Sequence, residues 1–475
     1  MSLFDPESAK VLLEEQKMTD TIAVLSTPPG SGGIAIIRIS GEEAFFYADK
    51  LFKGKEKVIN QKTHTVQYGK VVSPQDHLAV DEVLLTKMAA PRSYTREDIV
   101  EISCHGGYVV TRKILSLLFG LGVRPAEPGE FTKRAFLNGR MDLSQAEAVM
   151  DLIQARTDEV QKVAVRQLEG ALSHKLDVMR EALIDLLARI EVNLDYPEYD
   201  AEEVTLKKAE KEIDQMIVNL EALLNSFHYG KILREGMEVA IIGRPNAGKS
   251  SLLNRLAGKN RAIVTDIPGT TRDVLEEFVN IKGLPVKLFD TAGVRETADT
   301  IEKMGVEKSW EAVQNADCIL YLLDGSKTYE EQDQLLYKEI RNKGKKVFVL
   351  VNKTDLMEDE QKQSFSALLP EETLFISAAR GHGVDVLEEK LLTFAKQNAG
   401  QSENDVLLTN ARHEGHIRTA LDLLKSALEA VTGGLTLDMA AMDIKAGLEE
   451  LGKITGHHAS EDVLHAIFSK FCLGK

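Results

Sequence analysis

The spacing of hydrophobic and polar positions changes several times along this chain, and each change predicts a different architecture. Between about residues 21 and 135, short apolar runs alternate with turn sequences, which is typical of strands. The runs lie near residues 21–25, 34–39, 65–72, 81–88 and 99–104, with helical patterns near residues 42–52 and before the turn at 120–122. This part of the chain is therefore predicted to be an α+β domain.

From Asp142 onward the pattern becomes helical. Apolar residues recur at three- and four-residue steps over residues 142–194 and 205–228, and again over residues 407–431 and 437–471. Helical stretches on both sides of a different kind of segment favour one helical domain that holds an inserted domain. Two separate helical domains are the alternative, and periodicity does not distinguish between them.

The segment between the helical stretches alternates β-type apolar runs with helical patterns. The runs lie at residues 239–242, 286–289, 318–323, 347–351 and 373–376. This alternation predicts a parallel, doubly wound sheet, in which ligands bind at the carboxyl ends of strands. The chain is thus predicted to be multidomain, α/β and α+β. Its predicted parts are an N-terminal extension (1–20), an N-terminal α+β domain (21–137), a helical domain in two parts (138–235 and 396–475) and an inserted α/β domain (236–395).

Composition refines this picture only slightly. A length of 475 residues exceeds the range of a single hydrophobic core. The formal net charge of −16 argues against binding of nucleic acid through positive charge spread over the whole protein surface. Three scattered cysteines, Cys104, Cys318 and Cys472, form neither a disulfide framework nor a zinc pattern, which favours a reducing, cytoplasmic compartment. We expect no signal peptide in the charged N-terminus and no membrane span anywhere in the sequence.

The first candidate site lies where the apolar run at residues 239–242 meets a glycine loop. The spacing Gly243-x-x-x-x-Gly248-Lys249-Ser250, followed by a helical pattern, is that of a phosphate-binding loop. Its backbone N–H groups would surround phosphate oxygens. Lys249 would neutralise the β and γ phosphates, and Ser250 would hold Mg²⁺. A chance glycine turn is the alternative for the bare pattern.

Four further motifs follow in the order that a GTPase requires, and here the chain resembles the translation-factor-like GTPase superfamily. Gly269-Thr-Thr-Arg-Asp273 resembles the switch that closes over the γ-phosphate and the metal, and Asp290-Thr-Ala-Gly293 resembles the magnesium-side segment. Asn352-Lys-Thr-Asp355 matches the guanine-reading motif, whose Asp accepts from the base N1–H and exocyclic amine. Because adenine lacks that donor pair, GTP is favoured over ATP. Ser377-Ala-Ala379 fits the loop that closes over the base.

Two positions predict that hydrolysis differs from that of small signalling GTPases. Val294 stands where those proteins place the glutamine that orients the attacking water, so another residue must do so. Arg295, Glu296 and Glu302 are the candidates, with plain surface solvation as the alternative for all three. The amide oxygen of Asn246 is a candidate ligand for a monovalent cation that would replace an arginine finger. The alternative is that Asn246 only shapes the loop.

The resemblance narrows when the remaining signatures are added. The phosphate loop at residues 243–251, the segment at 265–273 and the ending Phe471-Cys-Leu-Gly-Lys475 resemble the MnmE (TrmE) family of bacterial tRNA-modification GTPases. Thr27-Pro-Pro-Gly30, Arg38-Ile-Ser-Gly41, His105-Gly-Gly107 and the segment at residues 128–138 agree with it. The match covers essentially the whole chain after about residue 20. It implies an N-terminal folate-binding domain that forms a homodimer, and a P-loop GTPase domain inserted into a helical domain.

The same resemblance implies a set of nucleotide and metal contacts. Mg²⁺ would be held by Ser250 and Thr271, and K⁺ would be surrounded by Asn246, Thr265, Ile267 (backbone) and Thr270. Glu302, which stands twelve residues after Asp290 (302 − 290), matches the family's catalytic carboxylate. The implied GTP-binding residues are Asn246, Ala247, Gly248, Lys249, Ser250, Ser251, Thr265, Asp266, Ile267, Pro268, Gly269, Thr270, Thr271, Asp290, Thr291, Ala292, Gly293, Asn352, Lys353, Asp355, Ser377 and Ala378.

For a tetrahydrofolate derivative such as 5-formyl-tetrahydrofolate, the matching positions are Arg38, Glu101, Arg140 and Lys475. A carboxylate suits a pterin edge and cations suit a glutamyl tail. Without the resemblance, Arg38 would be read as a surface cation and Glu101 as an exposed strand residue. Arg140 stands where the family pattern leads us to expect lysine, and it preserves charge but not geometry. Cys472 is a candidate nucleophile or acid, whereas Cys318 is predicted to be core.

The implied function is a K⁺- and Mg²⁺-dependent GTPase that works with MnmG, an FAD-containing partner, in a heterotetramer. Together they would add a carboxymethylaminomethyl group to carbon 5 of the wobble uridine of certain tRNAs, using a folate one-carbon unit. The alternative is a GTP-gated ribosome-assembly or RNA-binding factor without modification activity. The large N-terminal domain and the cysteine tail favour the first function, since an assembly factor would more often carry a basic RNA-binding module.

Overall fold

The computed structural model describes residues 20–195, 202–260, 277–290, 313–397, 406–433, 437–457 and 459–474. Within these ranges the chain divides into two compact units. The first unit contains the chain up to Met150, Gln167–Glu181 and the chain from Leu448 onward, and the second contains Asp151–Arg166 and Ala182–Gly447. The five segments predicted from the sequence remain a prediction about domain boundaries.

Strands and helices are numbered here in chain order. The strands are β1 (Ile22–Leu25), β2 (Gly32–Ser40), β3 (Phe52–Gly54), β4 (Thr65–Val72), β5 (Ala79–Met88), β6 (Ile99–Gly106), β7 (Arg124–Pro125), β8 (Met237–Gly243), β9 (Glu277–Ile281), β10 (Leu284–Asp290), β11 (Cys318–Asp324), β12 (Lys346–Asn352) and β13 (Leu374–Phe375). The helices are α1 (Ala44–Leu51), α2 (Tyr108–Gly120), α3 (Glu130–Leu137), α4 (Leu143–Gln154), α5 (Asp158–Leu168), α6 (Ala171–Asp195), α7 (Glu202–Glu235), α8 (Lys249–Asn260), α9 (Glu331–Arg341), α10 (Asp359–Leu368), α11 (Val384–Ala395), α12 (Ala411–Thr432), α13 (Leu437–Thr455) and α14 (Glu461–Phe468).

The first unit is built on a seven-stranded sheet with the order β3-β4-β5-β6-β2-β1-β7. Neighbouring strands are antiparallel except for β1 and β7, which run parallel. Alternate residues of β2, such as Ile37 and Ile39, are fully buried and pack with Ile114 and Leu118 of α2. The period of two thus places one face of the sheet against helices. The predicted α+β architecture is confirmed.

A buried network of charges stabilises α3 within the first unit. Arg134 and Glu130 are each only 1% exposed, and their side chains are 2.9 Å apart on successive turns. Arg134 also pairs with Asp20 at 2.6 Å and with Glu97 at 3.2 Å. Burial works against ionisation of Glu130, but hydrogen bonds from Arg124, the Glu127 backbone and Arg134 outweigh it and lower its pKa. The network therefore ties α3 to Asp20 and Glu97, which precede β1 and β6.

The second unit contains a six-stranded sheet with the order β13-β12-β11-β8-β10-β9. Alternate residues of its central strands pack on opposite faces: Ile241 and Leu320 enter one cluster, and Ala240 and Ile319 enter another. Helices therefore cover both faces, and the predicted doubly wound domain is confirmed. The sheet is parallel except at β9, which pairs antiparallel with β10 through the turn Lys282-Gly283.

The antiparallel strand β9 is not predicted by the sequence pattern. Lys282 and Gly283 both have positive φ, 52° and 91°, as a two-residue hairpin turn requires. Val279 and Ile281 are buried while the residue between them is half-buried, so β9 is an edge strand with a short alternating pattern. Five residues at an edge carry too weak a signal to separate a strand from a loop.

The helical stretch predicted at residues 142–194 forms α4, α5 and α6. Gly170, with φ of +89°, separates the last two, because an L side chain rarely adopts that conformation. Further along the chain, α12 packs along α7 within the second unit, where Lys425 pairs with Glu221 at 2.7 Å. Helices from before and after the second sheet therefore share one interface. In the part of the chain that the structure describes, no helix is long and apolar enough to cross a membrane.

Candidate functional site

The glycine loop at residues 243–248 joins β8 to α8 in the second unit. Gly248 has φ of +99°, and a Cβ there would lie 2.2 Å from Asn352 Nδ2, so only glycine fits. Lys249 is 9% exposed, and its Nζ donates to the carbonyl oxygens of Gly243 at 2.6 Å and Arg244 at 3.2 Å. The ammonium group therefore lies inside the curve of the loop. Asn246 adopts φ of +64° and its side chain is exposed.

Asn352, the last residue of β12, connects two loops. Its Nδ2 donates to the Ala247 carbonyl at 2.8 Å, and its Oδ1 accepts from the Ala378 N–H at 2.9 Å. Only 2% of Asn352 is exposed, so both hydrogen bonds are shielded from water. The predicted phosphate loop and the predicted base loop are thus held by one amide side chain.

Asp355 lies one turn after Asn352, in the short 3₁₀ segment Thr354–Leu356. Its Oδ1 accepts from Ser377 Oγ at 2.6 Å, and its Oδ2 lies 3.4 Å from Arg380 Nε. The Ser377 hydrogen bond is the main reason why the pKa of Asp355 is lowered. A carboxylate that stays ionised at neutral pH can accept two hydrogen bonds from a ligand edge with adjacent donors.

Asp324, at the end of β11, is a site residue that the sequence reading misses. Its Oδ2 lies 2.7 Å from Lys353 Nζ, and its Oδ1 accepts from Ser326 Oγ at 2.6 Å. Burial works against ionisation of Asp324, but the hydrogen bonds from Lys353 and Ser326 outweigh it and lower its pKa. Asp324 and Asn352 are register partners on parallel strands. A polar residue at a predicted strand end was the available signal.

The predicted nucleotide residues within the described ranges lie together at the carboxyl ends of the parallel strands of this sheet. They are Asn246 to Ser251, Asn352, Lys353, Asp355, Ser377 and Ala378, and Asp290 ends the neighbouring strand β10. The remaining predicted positions lie outside the described residues. They are Thr265, Asp266, Ile267, Pro268, Gly269, Thr270, Thr271, Thr291, Ala292, Gly293 and Glu302, together with Val294, Arg295 and Glu296.

In the first unit, Arg38 and Glu101 face each other on β2 and β6. Glu101 Oε1 lies 2.8 Å from Arg38 Nε and 2.7 Å from Nη2, and the two side chains are only 16% and 22% exposed. Both side chains are therefore half-buried and paired with each other rather than fully exposed. The Arg38 guanidinium also lies 5.9 Å from the Tyr94 ring centre and 5.6 Å from that of Phe131.

The C-terminal tail reaches the same place. Arg38 Nη1 donates to the Gly474 carbonyl at 2.9 Å, and the Gly129 N–H donates to the Cys472 carbonyl at 3.4 Å. Gly474 has φ of +90°, and a Cβ there would lie 2.7 Å from Ser26 Cα. The Cys472 side chain is exposed, whereas Lys475 lies outside the described residues.

Arg140 joins this group through Tyr94. Its Nη1 donates to the Tyr94 carbonyl at 3.1 Å, and its guanidinium carbon lies 4.5 Å from the ring centre. The other cysteines are buried: burial raises the pKa of Cys104 to about 11, and it also raises the pKa of Cys318. The prediction that Cys318 is core is confirmed by its complete burial in β11.

Family models match nearly the whole of this chain. One described as GTP-binding protein TrmE N-terminus matches residues 21–140, and one described as MnmE helical domain matches residues 143–472. The chain belongs to the MnmE family. The MnmE of Acetivibrio thermocellus, named a tRNA modification GTPase, is 49% identical over 457 residues, which covers 96% of this chain and 99% of that protein. The MnmE of Ligilactobacillus salivarius, with the same name, is 48% identical over 460 residues, or 96% of this chain and 98% of that protein.

Membership of the MnmE family agrees with both residue groups. The second unit holds the guanine-type motif beside a phosphate loop, and the first unit holds the cysteine tail beside Arg38 and Glu101. These MnmE signatures, which are far apart in the sequence, are thus concentrated in two places in the structure.

Proposed function

We propose that this chain binds and hydrolyses GTP and that it acts in the modification of tRNA, as the names of its MnmE relatives state of them. Membership of the family supports the GTPase activity directly. The guanine specificity is supported by Asp355, whose lowered pKa keeps an acceptor carboxylate beside the base loop. Asn352 holds that loop and the phosphate loop together, so one nucleotide can contact both loops.

At the phosphate loop, the backbone around Gly248 and the Lys249 ammonium group bind the β and γ phosphates. Ser250 is exposed on the first turn of α8, where its hydroxyl suits Mg²⁺, a cation that prefers oxygen ligands. Thr271 would be the second protein ligand of this Mg²⁺. Asn246, with Thr265, Ile267 and Thr270, would hold K⁺, and the exposed amide of Asn246 within the loop fits this role. When bound, these cations would offset negative charge on the phosphates in the transition state, and Glu302 would orient the attacking water.

At the tail, Arg38, Glu101, Arg140 and Lys475 bind a tetrahydrofolate derivative that supplies a one-carbon unit. The types of side chain suit the groups of a folate. The Glu101 carboxylate can accept hydrogen bonds from the pterin edge, and the two arginines can pair with the carboxylates of the glutamyl tail. Arg140 replaces the expected lysine without loss of charge, and its stacking on Tyr94 suits a planar guanidinium better than an ammonium group.

The product we propose is a carboxymethylaminomethyl group on carbon 5 of the wobble uridine. A homodimer of this chain would act in the cytoplasm with the FAD-containing partner MnmG in a heterotetramer. The carrying observation is the hydrogen bond from Arg38, which already pairs with Glu101, to the Gly474 carbonyl at 2.9 Å. It holds the Cys472 end of the chain at the proposed folate residues, so the thiol is available for the modification chemistry.

The test is Cys472→Ser in a strain that lacks the wild-type gene. Mass spectrometry of tRNA nucleosides is expected to show loss of the wobble modification, while purified protein retains GTPase activity. Lys470→Ala, an exposed neighbour, serves as the matched control and is expected to restore modification. Normal modification with Cys472→Ser would refute the role of the thiol. Normal modification in the gene-deleted strain itself would favour the GTP-gated assembly factor instead.

A further inference from the structure

Arg255 lies on α8, the helix that begins at the phosphate loop, six residues after Lys249 (255 − 249). Its guanidinium contacts a different loop. Nε donates to the Ala378 carbonyl at 2.9 Å, and Nη2 donates to the carbonyl of the next residue, Ala379. The guanidinium group of Arg255 therefore donates hydrogen bonds to two successive carbonyl groups of the predicted base loop. The sequence reading assigns no role to this residue, since a lone cation on a helix is ordinarily a solvated surface group.

The loop that Arg255 holds is a tight turn that begins at Ser377, whose Oγ accepts from the Arg380 N–H at 3.2 Å. The Ser377 carbonyl accepts from the Gly381 N–H at 2.6 Å, which closes the turn, and Ala379 and Arg380 are exposed. On the inner side, the Ala378 N–H donates to Asn352 at 2.9 Å. The Ala378 residue is thus held by Asn352 through its N–H and by Arg255 through its carbonyl.

Gly381 contributes to the turn through its backbone conformation, since φ is +82°. A Cβ at that position would lie 3.5 Å from the guanidinium carbon of Arg255, which is an ordinary van der Waals distance. The turn therefore packs against the guanidinium group of Arg255, which lies six residues along α8 from Lys249 (255 − 249).

We propose that Arg255 is a positioning residue for the guanine base. Through its hydrogen bonds to Ala378 and Ala379, it sets the base loop at a fixed separation from the phosphate loop. A nucleotide that reaches from Lys249 to Asp355 then meets both loops already in place. This inference rests on the guanine site proposed above and names a further residue that determines its affinity.

The physical basis is preorganisation. Hydrogen bonds from a cation to carbonyl groups are stronger than neutral ones, and a loop ordered before binding costs less entropy when the ligand arrives. The bonds do not touch the phosphates, where the chemical step occurs. Loss of Arg255 is therefore expected to raise the KM for GTP and the Kd for GDP, while kcat at saturating GTP stays within about twofold.

The experiment compares Arg255→Ala, Arg255→Lys and the wild type as full-length protein. Calorimetric titration is expected to give a GDP Kd about tenfold higher for Arg255→Ala, which corresponds to ~1.4 kcal/mol. Arg255→Lys, which reaches only one carbonyl, is expected to fall between the two. Tripolyphosphate probes the phosphate loop alone, and its inhibition constant against GTP is expected to stay within about twofold. Asn254→Ala, an exposed neighbour on α8, is the matched control and leaves all values unchanged.

Two results would overturn the proposal. One is an unchanged GDP Kd in Arg255→Ala. The other is an equal loss of GDP and tripolyphosphate affinity, because Arg255 would then support α8 as a whole; a lower melting temperature of the nucleotide-free protein would accompany that loss. The guanine site itself is tested separately, because wild-type protein that binds ADP as well as GDP would contradict it without any variant.

Discussion

Replacing Asn352 by alanine is the sharpest test of how the nucleotide site is assembled. The side chain is 2% exposed and makes two hydrogen bonds, to the Ala247 carbonyl at 2.8 Å and from the Ala378 N–H at 2.9 Å. A neutral hydrogen bond contributes about 0.5–1.5 kcal/mol net, so the pair holds the two loops together by ~1–3 kcal/mol. GDP needs both loops in place. In Asn352→Ala, part of the binding free energy of GDP must therefore be used to bring the two loops together. The GDP Kd is therefore expected to rise by roughly 5- to 150-fold.

Isothermal titration with GDP measures this effect directly. Asn352→Asp adds a second test, since it keeps the acceptor for Ala378 but places an oxygen 2.8 Å from the Ala247 carbonyl in place of the donor. Its affinity is expected to be no better than that of Asn352→Ala. Asn342→Ala, an exposed asparagine after α9, is the matched control. A GDP Kd within twofold of the wild type for Asn352→Ala would show that the two loops are held by other contacts.

The remaining predictions concern the cations, the water, the tail and pH. GTP hydrolysis is expected to be at least tenfold faster in KCl than in NaCl, in a steady-state phosphate-release assay, and equal rates would exclude a K⁺ role for Asn246. Glu302→Ala is expected to bind GDP normally but to lose most turnover in single-turnover assays, and a normal rate would return the role to Glu296 or Arg295. Gly474→Ala is expected to reduce wobble modification severalfold in tRNA nucleoside analysis, since φ of +90° and the contact with Ser26 exclude a side chain; normal modification would show that the tail tolerates displacement. Because the Ser377 hydrogen bond lowers the pKa of Asp355, the acceptor carboxylate persists below the ordinary titration range of an aspartate, so the ratio of GDP affinity to ADP affinity is expected not to fall between neutral pH and that range; a loss of this ratio near neutral pH would contradict this.

Local patterns were sufficient to predict most of the fold. Short apolar runs in β2, β6, β11 and β12 predict strands, because each strand is buried on one or both faces. Edge strand β9 was not predicted, since its short alternating pattern does not differ from that of a loop. The separation of α5 from α6 depends on the positive φ of Gly170, which periodicity does not report.

The candidate site was predictable wherever its chemistry lies in a continuous motif. Asn352 and Asp355 are recognised by their spacing, and strand order then brings them to the phosphate loop. Asp324 and Arg255 were not predicted, because each acts on a residue that only the folded sheet brings near it. The same limit applies to the bond between Arg38 and Gly474, which joins two motifs through tertiary structure.

The hydrogen bond between Arg38 and Gly474 also determines how late in synthesis the tail can dock. Arg38 and Gly474 are separated by 436 positions in the chain. At ~5–20 residues per second, a ribosome needs about 20 to 90 s to add the intervening residues. Meanwhile the sheet of the second unit, whose last strand ends at Phe375, 99 positions before Gly474 (474 − 375), can emerge and fold. A nascent chain is thus expected to acquire its nucleotide site before its tail is docked, so early nucleotide binding can stabilise it before the first unit is complete.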